Sequence, residues 1–209
     1  MQFEKNYPLR EFQCTEPSRI RKIVTRYPLA TLIASHQSAP EVTQVPLITN
    51  DEQDSIRFLH GHLDKNNPFT STVYRSAEVY ALFQGPNSYI SPSIYPDVQY
   101  PGWNFVSVHV KGTLKPVNSL SDLTNILIRT AEQNEEPGSG YSLSPKQRNF
   151  GQLLEHILGF QIEISDAKAV IKLAQDKTPS NTLLAKKRLA MMATKDISAF
   201  LDDLLEEDD

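Results

Sequence analysis

The chain is short of cysteine: Cys14 is the only one among 209 residues. That excludes an internal disulfide framework and any cysteine-built zinc module, and it fits a reducing compartment. There is no excess of basic charge. Lys and Arg number 21 against 25 Asp and Glu, a formal net charge of −4. A strongly basic nucleic-acid binder is therefore disfavoured, although a local patch remains open. No apolar run approaches the ~20 residues that span a bilayer. Met1 to Arg10 carries no signal-peptide core, so the expectation is a soluble cytoplasmic protein. Glycine is sparse, at eight residues. The glycine-rich phosphate loops GxGxxG and GxxxxGKS/T are absent, as is the GxSxG elbow of the α/β-hydrolases. What remains is a hydrophobic content of 39% in a length suited to one large domain with its own core.

Helical and strand periods alternate along the chain. Pro17 suits a first helical turn, Ile20, Ile23, Val24 and Tyr27 repeat at helical spacing, and Pro28 closes the helix. Leu29 to Ser35 is a short apolar run suited to a buried strand, and His36 to Pro40 reads as a turn. Glu41 to Ile48 alternates, with Val42, Gln44 and Pro46 on one side and Thr43, Val45 and Leu47 on the other. Pro46 belongs where no ladder donor is needed, at an edge or bulge. Asn50 to Asp54 is a polar turn, and Ile56 to His62 alternates again. Gly61 in that strand signals a bulge or a close approach. A short helix follows near Pro68 to Tyr74, then a strand from Ala77 to Gln84 and a turn at Gln84-Gly85-Pro86-Asn87. Tyr89 to Pro101 is a Pro- and Tyr-rich loop of the long kind that often carries function.

Phe105 to Val117 reads as a strand, with Val106, Val108 and Val110 on one face and Ser107, His109 and Lys111 on the other. Leu120 to Glu132 is an amphipathic helix capped by Ser119 or Ser121. After a Gly/Pro/Ser loop from Glu135 to Ser144, Pro145 to Leu158 reads as helical. Gly159 to Ala174 is a long strand broken by a turn at Asp166-Ala167-Lys168. Thr182 to Thr194 and Asp196 to Leu205 are further helices, and Glu206 to Asp209 is an acidic tail. Successive strands joined by short turns predict a mainly β protein with flanking helices, in the form of an antiparallel barrel.

Several residue sets could carry chemistry. His60 and His62 share a strand face, which could be half a metal site or a packed rim. His109 fits a satisfied core or interface histidine better than a ligand. Lys65, Asn66 and Asn67 could hold a phosphate at a helix start or form a solvated turn. Lys172, Gln175 and Lys177 could form a polar cluster for an anion or a solvated strand end. Trp103 with Tyr89, Tyr95 and Tyr100 could stack on a planar ring or line a dimer interface. Lys186-Lys187-Arg188 reads as a solvated helix face.

The run Phe83-Gln84-Gly85-Pro86-Asn87-Ser88-Tyr89-Ile90-Ser91-Pro92-Ser93-Ile94-Tyr95-Pro96 resembles a family signature, as does Trp103-Asn104-Phe105-Val106-Ser107-Val108-His109. Both resemble the PaiB-type FMN-binding negative transcriptional regulators. Gly61-His62 followed by Asn67-Pro68, then Gly159-Phe160-Gln161-Ile162-Glu163-Ile164 and Lys172-Leu173-Ala174-Gln175, match in the same order. The resemblance implies an FMN-binding split β-barrel similar to pyridoxamine-phosphate oxidase, as a homodimer with flavin sites at the subunit interface. It implies one domain over residues 1–209 with a helical C-terminal extension from about residue 178. By resemblance Val45, Pro46, Gly61, His62, Leu63, Lys65, Asn67 and Gln84 lie near the flavin or its phosphate. Lys172, Gln175 and Lys177 match the family's segment near the barrel end, and Trp103 is expected to roof the ring from the other subunit.

Four positions depart from the family pattern. Gln44 stands for the usual His, Ala174 for Ser, Asp176 for Asn and Lys177 for Arg. Lys keeps the charge of Arg and loses its bidentate fork. Each lost charge-assisted bond is worth ~1.5–3 kcal/mol, so FMN affinity is expected to be weakened or lost. The rival expectations are a cofactor-free barrel serving as a transcription-linked interaction module, for which the acidic charge does not support direct DNA binding, and a haem barrel using His60, His62 or His109.

Overall fold

The computed structural model describes residues 7–36, 39–49 and 56–195, with residues 197, 198 and 204. Among them the chain runs β1 (Gln13–Cys14), α1 (Pro17–Arg26), β2 (Leu29–His36), β3 (Ala39–Pro46), β4 (Phe58–Asp64), α2 (Thr70–Tyr74) and β5 (Glu78–Ile90). It continues with β6 (Gly102–Pro116), α3 (Leu120–Asn134), α4 (Phe150–His156), β7 (Ile157–Lys172) and α5 (Pro179–Ala193). Short 3-10 turns occupy Arg10–Phe12 and Pro92–Ile94. The expected turn at Asn50 to Asp54, most of the expected helix from Asp196 to Leu205 and the acidic tail lie outside the described residues. No helix among the described residues is long and apolar enough to cross a membrane.

All the ladders are antiparallel, in the order β1-β7-β6-β5-β2-β3, with β4 also on β7. β7 is long enough to carry β4 on its first half (Leu63↔Leu158, Phe58↔Glu163) and β1 on its second (Gln13↔Val170). No ladder joins β3 to β4 among the described residues. The two ends of the sheet meet at one bridge, Ile48↔His60, with N–H···O bonds of 2.9 and 2.8 Å. The result is mainly β with flanking helices, curled toward a barrel without full closure.

The period of two decides what is inside. Ala30 and Leu32 of β2, Ala81 and Phe83 of β5, Val108 and Val110 of β6, and Phe160 and Ile162 of β7 form one buried core. Ile20 and Val24, one turn apart on α1, close that core. Pro17 starts α1 and Pro28 follows its end, as the sequence predicts. Gly61 sits directly opposite Phe160, and a Cβ there would fall 2.7 Å from Leu47 Cδ2 and 2.9 Å from Phe160 Cζ. Close approach therefore explains this glycine, since its strand pairs in regular register. Ser119 Oγ caps α3 by accepting from Asp122 N at 3.3 Å, and Leu123 and Leu127 pack with Phe150 and Ile157.

The structure corrects the sequence reading at four places. His36, Ala39 and Pro40, expected in a turn, belong to the β2–β3 ladder, with Ser35 opposite Pro40 and His36 opposite Ala39. Gln84-Gly85-Pro86-Asn87 is not a turn: β5 runs through it, and one extra residue is absorbed between Gln84↔Ser107 and Asn87↔Phe105. The bulge accepts Pro86 because no ladder donor is needed there. Asp166-Ala167-Lys168 is not a turn either. These residues pair with Lys111, Val110 and His109, and Ser165 is the extra residue, its hydroxyl donating to Lys111 O at 3.2 Å. The helix expected from Pro145 to Leu158 is confined to α4, because Ile157 and Leu158 start β7 against Asp64 and Leu63. An apolar pair at a helix end carries no signal of its own to separate the two.

Gly112 stands at the β6–β7 bulge. A Cβ on it would press on the Glu163 carbonyl and come 2.6 Å from Ile162 Cγ2, whereas a Cβ on Gly102 meets nothing within 4 Å. Gly112→Ala is expected to lower stability by about 1–3 kcal/mol in urea unfolding, and Gly102→Ala to change it by less than about 0.5 kcal/mol. Equal effects would contradict this account of the bulge.

Candidate functional site

The outer face of the sheet is set by the same alternation. Thr31 of β2 stands between Gln44 of β3 and Leu82 of β5, and Leu29 opposite Pro46. Gln44 Nε2 donates to Thr31 Oγ1 at 3.2 Å. This face and the side of α3 bearing Leu127, Thr130, Ala131 and Asn134 enclose a cleft of about 700 Å³. Its lining also takes in Tyr27, Pro28, Leu143, His62 and Gln84. The volume lies in the ~300–1,000 Å³ range of small-molecule and cofactor sites. No Lys or Arg among the described residues lines it.

His62 is the sharpest feature of the cleft. Its Nδ1 is shielded from solvent and has no hydrogen-bond partner. Burial holds its pKa below the ordinary value, so the ring is a neutral imidazole with a nitrogen to spare. A buried polar atom without a partner is costly unless a ligand or water satisfies it.

The expected site residues separate into three groups. Pro46, His62 and Gln84 come together in the cleft. Val45, Gly61 and Leu63 point inward, Val45 and Leu63 into the core, and can offer a ligand only backbone. The third group stands elsewhere. Lys65 Nζ donates to Glu155 O at 2.5 Å, beside a different hollow against α3 and α4. Asn67 holds its own turn: Oδ1 accepts from Phe69 N at 2.9 Å and Nδ2 donates to Thr43 Oγ1 at 3.0 Å. Trp103 Nε1 donates to Asn87 Oδ1 at 3.2 Å, with its ring tilted 6.1 Å from that of Tyr89. Trp103 shares a small hollow with Gln84 and Ser107.

The last strand end is equally occupied. Lys172 Nζ lies 5.9 Å from the Phe12 ring centroid. Gln175 Oε1 accepts from Leu173 N at 2.6 Å and its Nε2 donates to Glu11 O at 3.1 Å. Lys177 Nζ donates to Gln99 Oε1 at 2.7 Å and sits 5.6 Å from the Tyr95 ring centroid. Nearby, Asn181 and Gln99 both donate to Asp97, which holds that carboxyl below its usual range.

His109 is fully engaged. Its Nδ1 meets Tyr80 Oη at 2.5 Å and its Nε2 meets Ser107 Oγ at 2.9 Å. Burial, with Lys168 opposite, keeps it neutral. Both nitrogens being spent, His109 is not available as a haem ligand. Thr31, Leu82, Thr130 and Asn134 were missed as cleft residues; the outward parity of β2 and β5 was the only sequence signal for the first two.

The family model described as "Putative FMN-binding domain" matches residues 6–166. The chain belongs to this FMN-binding-domain family. It is 30% identical over 173 residues to Protease synthase and sporulation protein PAI 2 of Bacillus subtilis (strain 168), covering 81% of this chain and 82% of that protein. Among solved structures it is similar to the flavocytochrome Anf3 from Azotobacter vinelandii, with a TM-score of 0.62 at 13% identity, covering 86% of this chain and 77% of that one. It is also similar to an FAD and heme binding protein from Mycobacterium smegmatis, with a TM-score of 0.55 at 14% identity, covering 83% and 80%. These likenesses show that the family fold here is the split barrel.

Besides Lys177, two more of the four departures from the family pattern have places. Gln44 lies in the cleft itself. Ala174 is buried at a left-handed φ of +63°, where the chain turns toward α5, and its carbonyl accepts from Thr182 Oγ1 at 2.7 Å.

Burial of neutral His62 links stability to pH. A histidine with its folded pKa lowered stabilises the fold fully above its unfolded pKa of about 6.5, and this is lost as pH falls toward the folded value. The melting temperature is expected to fall between about pH 7 and pH 5, and to fall less in His62→Gln. Identical pH slopes in calorimetry would contradict this.

Proposed function

We propose that the chain is an FMN-binding homodimer whose cleft between the outer sheet face and α3 takes the isoalloxazine ring. The convergence of Pro46, His62 and Gln84 in that cleft, with His62 Nδ1 unpartnered, carries the reading. Apolar groups, Leu29, Leu82 and Leu127, suit the flat ring. The amides of Gln44, Gln84 and Asn134 and the spare nitrogen of His62 suit its heteroatoms. The phosphate end is not matched by this wall, since no described cation lines it. Lys65, Lys172 and Lys177 remain the candidate cations, and a second copy would bring one of them to the phosphate. Leu29 and Val42, 56% and 58% exposed on one sheet face, support such a partner. When bound, the flavin would supply hydride or electron-transfer chemistry, while these residues position it and exclude water. The whole chain, 1–209, then acts as one barrel domain, with α5 the described part of its helical extension.

A transcription-linked role exerted through protein contacts is the second reading, and the net charge of −4 weighs against direct contact with DNA. A salt-dependent affinity for duplex DNA would favour this role, and no binding at low salt would count heavily against it.

Titration of the purified protein with FMN is expected to show one saturable site per subunit, in a species twice the chain mass of 23.6 kDa. Gln84→Ala should weaken binding about three- to tenfold. No flavin signal at tens of micromolar FMN would overturn the reading.

A further inference from the structure

A second cavity, of about 500 Å³, lies where α5 crosses the end of the β5–β6 ladder. It shares one lining residue, Tyr27, with the cleft described above. Its walls are largely apolar, with Pro86 and Val106 on the sheet side and Leu189 and Ala190 on α5. Pro86 reaches it because the β5 bulge displaces the strand there.

Set among these apolar groups is one unmet donor. Asn104 is 5% exposed, lines the cavity, and its Nδ2 is buried without a partner. Its backbone pairs with Ser88 in the ladder, so the side chain's place is fixed by the sheet. Neither hydroxyl in the wall, Tyr27 Oη or Thr182 Oγ1, is a hydrogen-bond partner of Asn104 Nδ2, and Thr182 Oγ1 is directed to Ala174 O at 2.7 Å. A buried amide donor without a partner is rare in native structures and asks for an acceptor. Charge adds a second constraint. Exposed Lys186 stands on the rim, and no Asp or Glu among the described residues lines the cavity.

We propose that this cavity is a second ligand site, for a small aromatic carboxylate. The ring lies between Pro86, Val106 and Leu189, the carboxylate accepts from Asn104 Nδ2, and Lys186 adds a cation at the mouth. This site gives a role to one residue of Lys186-Lys187-Arg188, a run that the flavin reading leaves unused. It does not depend on flavin binding.

The probe is 2-naphthoate, followed by its own fluorescence anisotropy on the full chain. Saturable binding is expected, at least fivefold tighter than that of neutral 2-naphthalenemethanol. Asn104→Leu, close in shape but without the amide, should weaken it about ten- to a hundredfold. Lys186→Gln, at an exposed position, should weaken it about two- to fivefold. Ala190→Trp, on the exposed side of α5, should plug the cavity, abolish binding and leave the melting temperature in place. Should Asn104→Leu fail to fold, the two helix variants decide alone. Equal affinity for the acid and the alcohol, or unchanged binding in Ala190→Trp, would overturn the proposal. So would full competition between naphthoate and FMN, because the two cavities are distinct.

Discussion

The β6–β7 ladder is the constraint on which the rest of the molecule depends. β7 serves three neighbours at once, β6 along its length, β4 on its first half and β1 on its second. The extra residue at Ser165, opposite the Gly112 junction, bends the pair, and a bulge sharpens strand twist as it does so. With the bend in place, β4 reaches back to within one bridge of the end of β3, and the sheet encloses a core. Gly112 has no Cβ because the Glu163 carbonyl occupies that space. The outer cleft is a by-product of the same curvature, since it forms where the curled face meets α3.

Much of the fold is legible wherever side chains alternate clearly. Val42, Gln44 and Pro46 are on the outside and Val45 is within, as their spacing says. Pro17 and Pro28 bracket a helix, and Ser119 caps another. Legibility fails where a local signal and a long-range one conflict. Gly-Pro-Asn is a strong turn string in isolation, yet pairing on both sides of it holds β5 extended. Ile157 and Leu158 look like the end of a helix until Leu63 and Asp64 claim them. In both cases the deciding partner is distant in sequence, and tertiary pairing overrides local preference.

The candidate site shows the same division. Pro46, His62 and Gln84, which the resemblance sets near a flavin, line one cleft although they come from three strands that do not pair with one another. The resemblance had no means of placing the lysines. A lysine carries its charge on a long, rotatable stem, so its target depends on acceptors that the fold brings near. Lys65 finds the Glu155 carbonyl and Lys177 finds Gln99. Each is engaged in holding a loop or a helix end, so that anion binding in a single copy would compete with structural work already assigned.

Trp103 is the only tryptophan in the chain, and it is 52% exposed beside the β5 bulge. Its indole N–H is tied to Asn87, and it shares a hollow with Gln84, which also lines the cleft. All intrinsic indole emission therefore originates one residue's width from the cleft wall. The protein carries its own optical gauge of that wall: a flavin in the cleft would lie close enough to drain the emission, and a bulge that shifted would change its colour with the cleft empty.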